Sequence, residues 1–312
     1  MTHRLHGNIV KAILVTLLLL FTLFPVYWMI SSAFDKRASS GGQSLIPQEF
    51  TWDNFTYVFT EGNMGTFLLN SLVVAVAVVV ASGLIALLAS VAVSRFRFRF
   101  RTSMLFMILT VQMVPLEALV IPLFVQVRDL GLLNQLLGLI IVYIALSLPF
   151  GIWMLRGFVA AVPVELEEAA YLDGASWGRM FRSVMLPLVM PGLVATSAFS
   201  FITAWNEYLY ALTLGSRNVR TVTVAIQTLI GEYQIEWGLL AAGGVVHLVA
   251  GRVDGAVDLL GLGVVALASQ VLRAVSVHVV HDSHAQSSDL SARARGPLSR
   301  TTLPRGRWPR QE

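Results

Sequence analysis

The chain has 312 residues, 56% of them hydrophobic and only 13% charged, about half the charged share of a typical soluble domain. It has no cysteine, which excludes disulfides, thiolate metal sites and cysteine nucleophiles. Its only lysines, Lys11 and Lys36, lack the glycine pattern of a phosphate-binding loop, and the net charge of +4 rests largely on arginines beside apolar runs, a membrane-topology pattern rather than a nucleic-acid surface.

The first apolar run, about Ile9 to Ile30, is too long for a signal-peptide core and precedes no small-residue cleavage site, so it reads as an uncleaved span. Arg4 and Lys11 at its N-terminal end place the N-terminus in the cytoplasm. Residues 1–33 thus form the N-terminal segment and first span, and residues 34–66 a polar external loop. A second span, without charge, is expected from Leu68 to Val93. The alternation Arg95-Phe96-Arg97-Phe98-Arg99-Phe100-Arg101 reads as a short cytoplasmic loop, arginines in water and rings at the interface. The third span, Ser103 to Val127, is interrupted by Pro115 and Pro122 and contains Gln112 and Glu117. A fourth runs from Leu136 to Leu155, ending at Arg156, and a fifth from Leu186 to Leu214. Residues 215–236 are polar and read as external.

After Trp237 the pattern degrades. Gly238 to Ala250 is apolar but short, and Leu259 to Val280 carries Gln270, Arg273 and His278, so a sixth span is doubtful. His278, His281 and His284 are spaced at three, but no metal is assigned to them. The fold class is all-α: a polytopic transmembrane helix bundle of about six spans. Residues 67–270 form the transmembrane domain, and the Ser-, Arg- and Pro-rich residues 271–312 form an atypical tail expected to be disordered.

One cytoplasmic segment, residues 157–185, is longer than a connection needs to be. Pro163 suits the first turn of a helix, and Glu165, Glu167 and Glu168 sit where the helix dipole favours anions. Leu166, Ala169, Ala170 and Leu172 supply a small apolar face, and Asp173-Gly174 ends the helix with a left-handed cap. A second short helix is expected from Ala175 through Trp177 and Phe181 to Val184. The segment therefore reads as a helix-turn-helix on the cytoplasmic surface. It either docks a protein or lies on lipid, and its acidity favours the protein because the cytoplasmic leaflet is anionic.

The spacing Glu168-Ala169-Ala170, three residues, Gly174, nine residues, Val184, one residue, Leu186-Pro187 resembles the EAA motif of binding-protein-dependent ABC importer permeases, with Val184 where the family usually has Ile. Leu148-Pro149-Phe150-Gly151, Trp205-Asn206-Glu207-Tyr208 and Phe50-Thr51-Trp52-Asp53-Asn54-Phe55 resemble the carbohydrate-uptake branch, in particular the shorter, six-span partner of the maltose- and multiple-sugar-type pair. The resemblance covers roughly residues 8 to 246. It implies a type I importer fold and a transport subunit that is not itself an enzyme. It also implies a second permease, two ATPase subunits that hold ATP and Mg, an external sugar-binding protein, and a prokaryotic cell membrane. No cofactor and no nucleic acid belong to this chain. The implied ATPase-docking residues are Glu165, Glu168, Ala169, Ala170, Asp173, Gly174, Leu186 and Pro187, with Gly174 the most sensitive.

Polar groups at membrane depth are costly unless they face the bundle or a cavity. Trp205, Asn206, Tyr208 and Glu117, and with them Glu207, are the candidates for a sugar pathway, aromatics stacking on sugar faces and polar groups bonding hydroxyls; the alternative is helix packing or a place at the external rim. An ion-coupled secondary transporter is the rival function, but the expected internal repeat is not evident. A membrane enzyme would need a catalytic cluster that the spans do not supply. Beyond about Val246 the family pattern gives way to Arg252, Asp254 and the basic tail, as expected from a frameshift in the coding sequence.

Overall fold

The structure is a computed structural model that describes residues 2–40, 45–215, 219–230 and 236–251. Helix α1 spans Thr2–Ala33. Its apolar side chains from Ile13 to Phe24 stand largely exposed on every side, a surface suited to lipid rather than water. Only its far end packs, with Trp28 edge-on to Trp237 at 6.2 Å. The expected polar loop is in fact built: a 3₁₀ turn at Lys36–Ser40 and helix α2, Asp53–Thr60, precede α3. Asn54 ties α2 back to α1 by donating Nδ2 to the Ala33 carbonyl at 2.9 Å.

The centre of the bundle is α3, Met64–Arg95. Its Val-rich run would favour a strand in water. In lipid the backbone must bond within its own segment, so the same residues form a helix. At 1.5 Å per residue, α3 is on the order of 48 Å long, more than a hydrocarbon core requires. Helix α4, Arg101–Gln112, and helix α5, Val120–Asp129, form the expected third span, but not as one rod. They meet at a bend of 97°. The chain breaks at Met113–Pro115 and makes a 3₁₀ turn over Leu116–Leu119. Pro122 does not break α5, because in the first turn its missing N–H would have had no intrahelical acceptor.

Helix α6, Leu136–Ala161, runs parallel to α3 and packs along it. Helix α7, Val164–Leu172, and helix α8, Trp177–Met180, make the cytoplasmic segment expected at 157–185. The second short helix does not stop before the membrane. A π turn at Phe181–Met185 carries it straight into α9, Leu186–Asn206, so a continuous helical stretch runs from Trp177 to Asn206. The expected fifth span then breaks at Glu207–Tyr208, before helix α10, Leu209–Leu214. Helix α11, Val222–Thr228, buries Val222, Val224 and Ala225, correcting the reading of that stretch as a plain polar loop. Helix α12, Trp237–Gly251, packs on α1, α2 and α11.

Small residues let the central helices touch. A Cβ built at Gly151 of α6 would lie 3.1 Å from the Ala86 Cβ of α3 and 3.5 Å from Thr196 of α9, so three helices converge there. Among the described residues, four helices are long and apolar enough to cross a membrane, five if the bent pair is one span. Among the described residues there is no strand beyond an isolated bridge between Asp35 and Phe50. The doubtful span at Leu259–Val280, the three histidines and the tail at 271–312 lie outside the described residues.

Candidate functional site: a loop helix and a cavity between broken helices

Helix α7 has two different sides. Glu165, Glu168, Ala169 and Leu172 follow the spacing i, i+3, i+4, i+7, which aligns them in one stripe. All four are exposed, Leu172 at 88%. Leu166 and Ala170 fall elsewhere, and Ala170 packs against the core, so the four apolar residues do not share the single face expected of them.

The helix ends in a Schellman motif. Ala175 N–H donates to the Ala170 carbonyl at 2.9 Å and Gly174 N–H to the Tyr171 carbonyl at 3.0 Å, with Gly174 at φ +78°. Asp173 and Gly174 are exposed beside the stripe, and Pro187 is exposed where α9 begins, while Leu186 is buried.

Opposite the stripe, Glu167 turns inward. Its Oε1 accepts from Arg95 Nε at 2.5 Å, and Arg95 Nη2 donates to the Val162 carbonyl at 2.8 Å. This corrects two expectations. Arg95 is not in water with Arg97 and Arg99, and Glu167 serves an ion pair rather than only the helix dipole. Burial, then the Glu167 carboxylate, push the neighbouring Tyr171 phenol above its ordinary range, so it stays neutral.

The second feature lies where the two helix breaks meet. Tyr210 donates its hydroxyl to the Leu116 carbonyl at 2.7 Å, joining the turn after α4 to α10. Glu207 occupies the break before α10. Its carboxylate accepts from Tyr210 N–H at 2.9 Å, Ala211 N–H at 3.1 Å and the Tyr143 hydroxyl at 2.5 Å. It thereby satisfies backbone donors that the broken helix leaves open. Beside it is a cavity of about 150 Å³ lined by Glu117, Tyr143, Ser147, Thr203, Glu207 and Tyr210, among others. The Tyr143, Thr203 and Tyr210 hydroxyls all donate into the protein. The Glu117 side chain makes no hydrogen bond or ion pair among the described residues. The cavity therefore presents two carboxylates and hydroxyl lone pairs, and no cation lines it.

The candidate pathway residues are not all brought together. Glu117 and Glu207 line this cavity, and Tyr208 is half-buried against the core. Trp205 and Asn206 line a different cavity of about 160 Å³ with Phe201 and His247. There Trp205, 5% exposed, stacks with both Phe201 and His247, each with ring centroids 5.5 Å away, so its ring is already engaged within the protein.

A family model described as "Binding-protein-dependent transport system inner membrane component" matches residues 82–267. The chain belongs to this family. Among similar permeases are the diacetylchitobiose uptake system permease protein DasC of Streptomyces coelicolor, 38% identical over 78% of this chain and 89% of that one. The trehalose transport system permease protein SugB of Mycobacterium tuberculosis is 36% identical over 75% and 87%. The maltodextrin transport system permease protein MdxG of Bacillus subtilis is 32% identical over 78% and 88%. The fold is also that of a chain from a crystal structure of a bacterial ABC transporter that imports the acidic polysaccharide alginate, at TM-score 0.67 and 24% identity over 80% of this chain and 93% of that one.

An ABC permease replaces the ion-coupled alternative, and the relatives are membrane transport subunits. The family match also runs past Val246 to residue 267, further than the sequence pattern was followed. Arg95 and Glu167, which pair at the first site of this permease, are not among the candidate site residues, nor is Tyr143, which binds Glu207 at the second. The available signal was a charged side chain beside or inside an apolar run, which marks a partner without naming it.

Proposed function

We propose that the exposed stripe of α7 seats a separate ATPase subunit, and that the chain is one of two permeases through which an externally captured sugar enters a prokaryotic cell. The observation that carries this is the division of α7. Glu165, Glu168, Ala169 and Leu172 face outward beside Asp173 and Gly174, while the opposite side is fastened to the bundle. An exposed leucine flanked by small residues and carboxylates suits a protein groove, whereas an anionic lipid surface would repel the acids.

In this reading α7 lies in the cytoplasm with the N-terminus. The arginines at 97, 99, 179 and 182 collect in segments next to the same end of the bundle, as the positive-inside bias requires. Two ATPase subunits bind ATP and Mg, and their closure moves α7, with Leu186-Pro187 at the root of α9. An external sugar-binding protein delivers the solute. The names of the relatives support a sugar as substrate, and the acceptor-rich cavity beside Glu117 favours a neutral one, whose hydroxyls donate to its carboxylates. Trp205 acts as a packing residue beside the pathway, and Asn206 and Tyr208 lie outside the acceptor-rich cavity.

The test is Leu172→Asp in the complete complex. Membrane levels should match the wild type, because the side chain touches little of its own protein, while ATPase co-isolation should fall at least tenfold. Undiminished co-isolation refutes the docking assignment.

A further inference from the structure

We infer that Arg95 is the positioning residue that makes α7 a rigid extension of the central span, so that displacement of the loop is delivered to α3 rather than absorbed by the loop. The inference rests on the docking role proposed for α7. Arg95 is the last residue of α3, and one guanidinium joins three elements. Nε holds the Glu167 carboxylate on the inner side of α7, and Nη2 holds the carbonyl of Val162, the residue that ends α6. The Arg95 and Glu167 side chains are only 15% and 9% exposed, while Arg97 and Arg99 in the same run are exposed.

The chemistry selects arginine. A carboxylate and a carbonyl lie in different directions, and the planar fork meets both at once; a lysine ammonium on a flexible stem reaches one at a time. Val162 sits where a helix end leaves carbonyls without partners, so its bond to Arg95 also closes the end of α6. A buried charge left without its partner is strongly unfavourable, so the pair resists partial opening. Swinging α7 away from α3 therefore breaks both bonds together. Without that latch, α7 is tied to the bundle by its short connections and by the small contacts of Ala170 and Ala175. The ATPase would then still find its seat, but its stroke would move a loose helix.

The experiment uses the full chain in its complete complex, reconstituted in liposomes, with Arg95→Ala, Arg95→Lys and Glu167→Gln. Three quantities are read: ATPase co-isolation, amide exchange over residues 164–172, and sugar moved per ATP hydrolysed. The expected result for Arg95→Ala is co-isolation within twofold of wild type, exchange at least tenfold faster, and sugar per ATP at least tenfold lower. Arg95→Lys should fall between alanine and wild type. If Arg95→Ala does not reach the membrane, Glu167→Gln, which keeps shape and loses the charge, carries the same test with smaller changes. Unchanged exchange and unchanged sugar per ATP overturn the latch. Failure of the wild-type chain to co-isolate an ATPase sinks the docking role instead, and the two failures are distinct.

Discussion

Replacing Gly174 isolates a backbone effect from every packing effect. Its φ of +78° lies in the left-handed region, and a Cβ built there meets no heavy atom within 4 Å. The cost of a side chain is therefore the conformational penalty alone, about 1–2 kcal/mol for an ordinary L-residue. Asparagine, which tolerates this region, should cost less than alanine, and valine more. Since 1.4 kcal/mol is about tenfold in an equilibrium constant, Gly174→Ala should multiply the open population of the turn by roughly ten. The hydrogen bonds at risk are those from Ala175 N–H to Ala170 and from Gly174 N–H to Tyr171. Amide exchange at positions 174 and 175 should follow the order Gly, Asn, Ala, Val from slowest to fastest, while the melting temperature of the bundle stays within a few degrees. An exchange rate for alanine equal to that of glycine, or a collapse of the whole bundle, refutes the reasoning.

Glu207→Ala should destabilise the permease by on the order of 3 kcal/mol, since it leaves the Tyr143 hydroxyl and two backbone N–H groups without acceptors, at about 1–3 kcal/mol for each unsatisfied group. Denaturation in detergent measures it, and Glu207→Gln should lose less than half as much. Gly192→Ala should cost about 1–3 kcal/mol by overpacking, because its Cβ would lie 2.3 Å from the Phe158 ring. Gly157→Ala, with nothing within 4 Å, is the matched control and should hold or slightly raise the melting temperature, since alanine favours a helix over glycine. At the cavity, uptake of a neutral oligosaccharide should resist competition by its uronate counterpart, and Glu117→Gln should weaken that discrimination; equal competition in both proteins counts against the charge argument.

Much of the bundle was legible because lipid leaves the backbone few choices. An uncharged run such as Leu68–Val93 has to become a helix, and its length says that it spans. The limits of α7 were legible for the same kind of reason, since Pro163 and Gly174 act on their own backbone. The breaks were not. Pro25, Pro149 and Pro191 sit inside continuous helices, whereas the chain turns at Pro115. What separates them is tertiary: the Tyr210 hydroxyl, 94 residues on, stands ready for the Leu116 carbonyl at the turn. Arg95 and Glu167 are 72 residues apart, and nothing near Arg95 distinguishes it from Arg97 or Arg99 in the sequence. The two cavities likewise depend on which face of α9 each residue occupies. Trp205 and Asn206 line one cavity, while Glu207, the next residue, lines the other.

That last dependence gives the π turn at Phe181–Met185 a role as a register key. It carries an extra residue in the helical repeat between α7 and the span, and one residue of helix is about 100° of rotation. Deleting a single residue there, so that the turn relaxes to α, would leave α7 and its connections intact in sequence. It would also rotate the whole of α9 like a misindexed cog. Glu207 would swing away from Tyr143, Gly192 away from Phe158, and Trp205 away from His247. One surplus residue beside the loop thus decides which side of a helix some 30 Å long looks into the bundle.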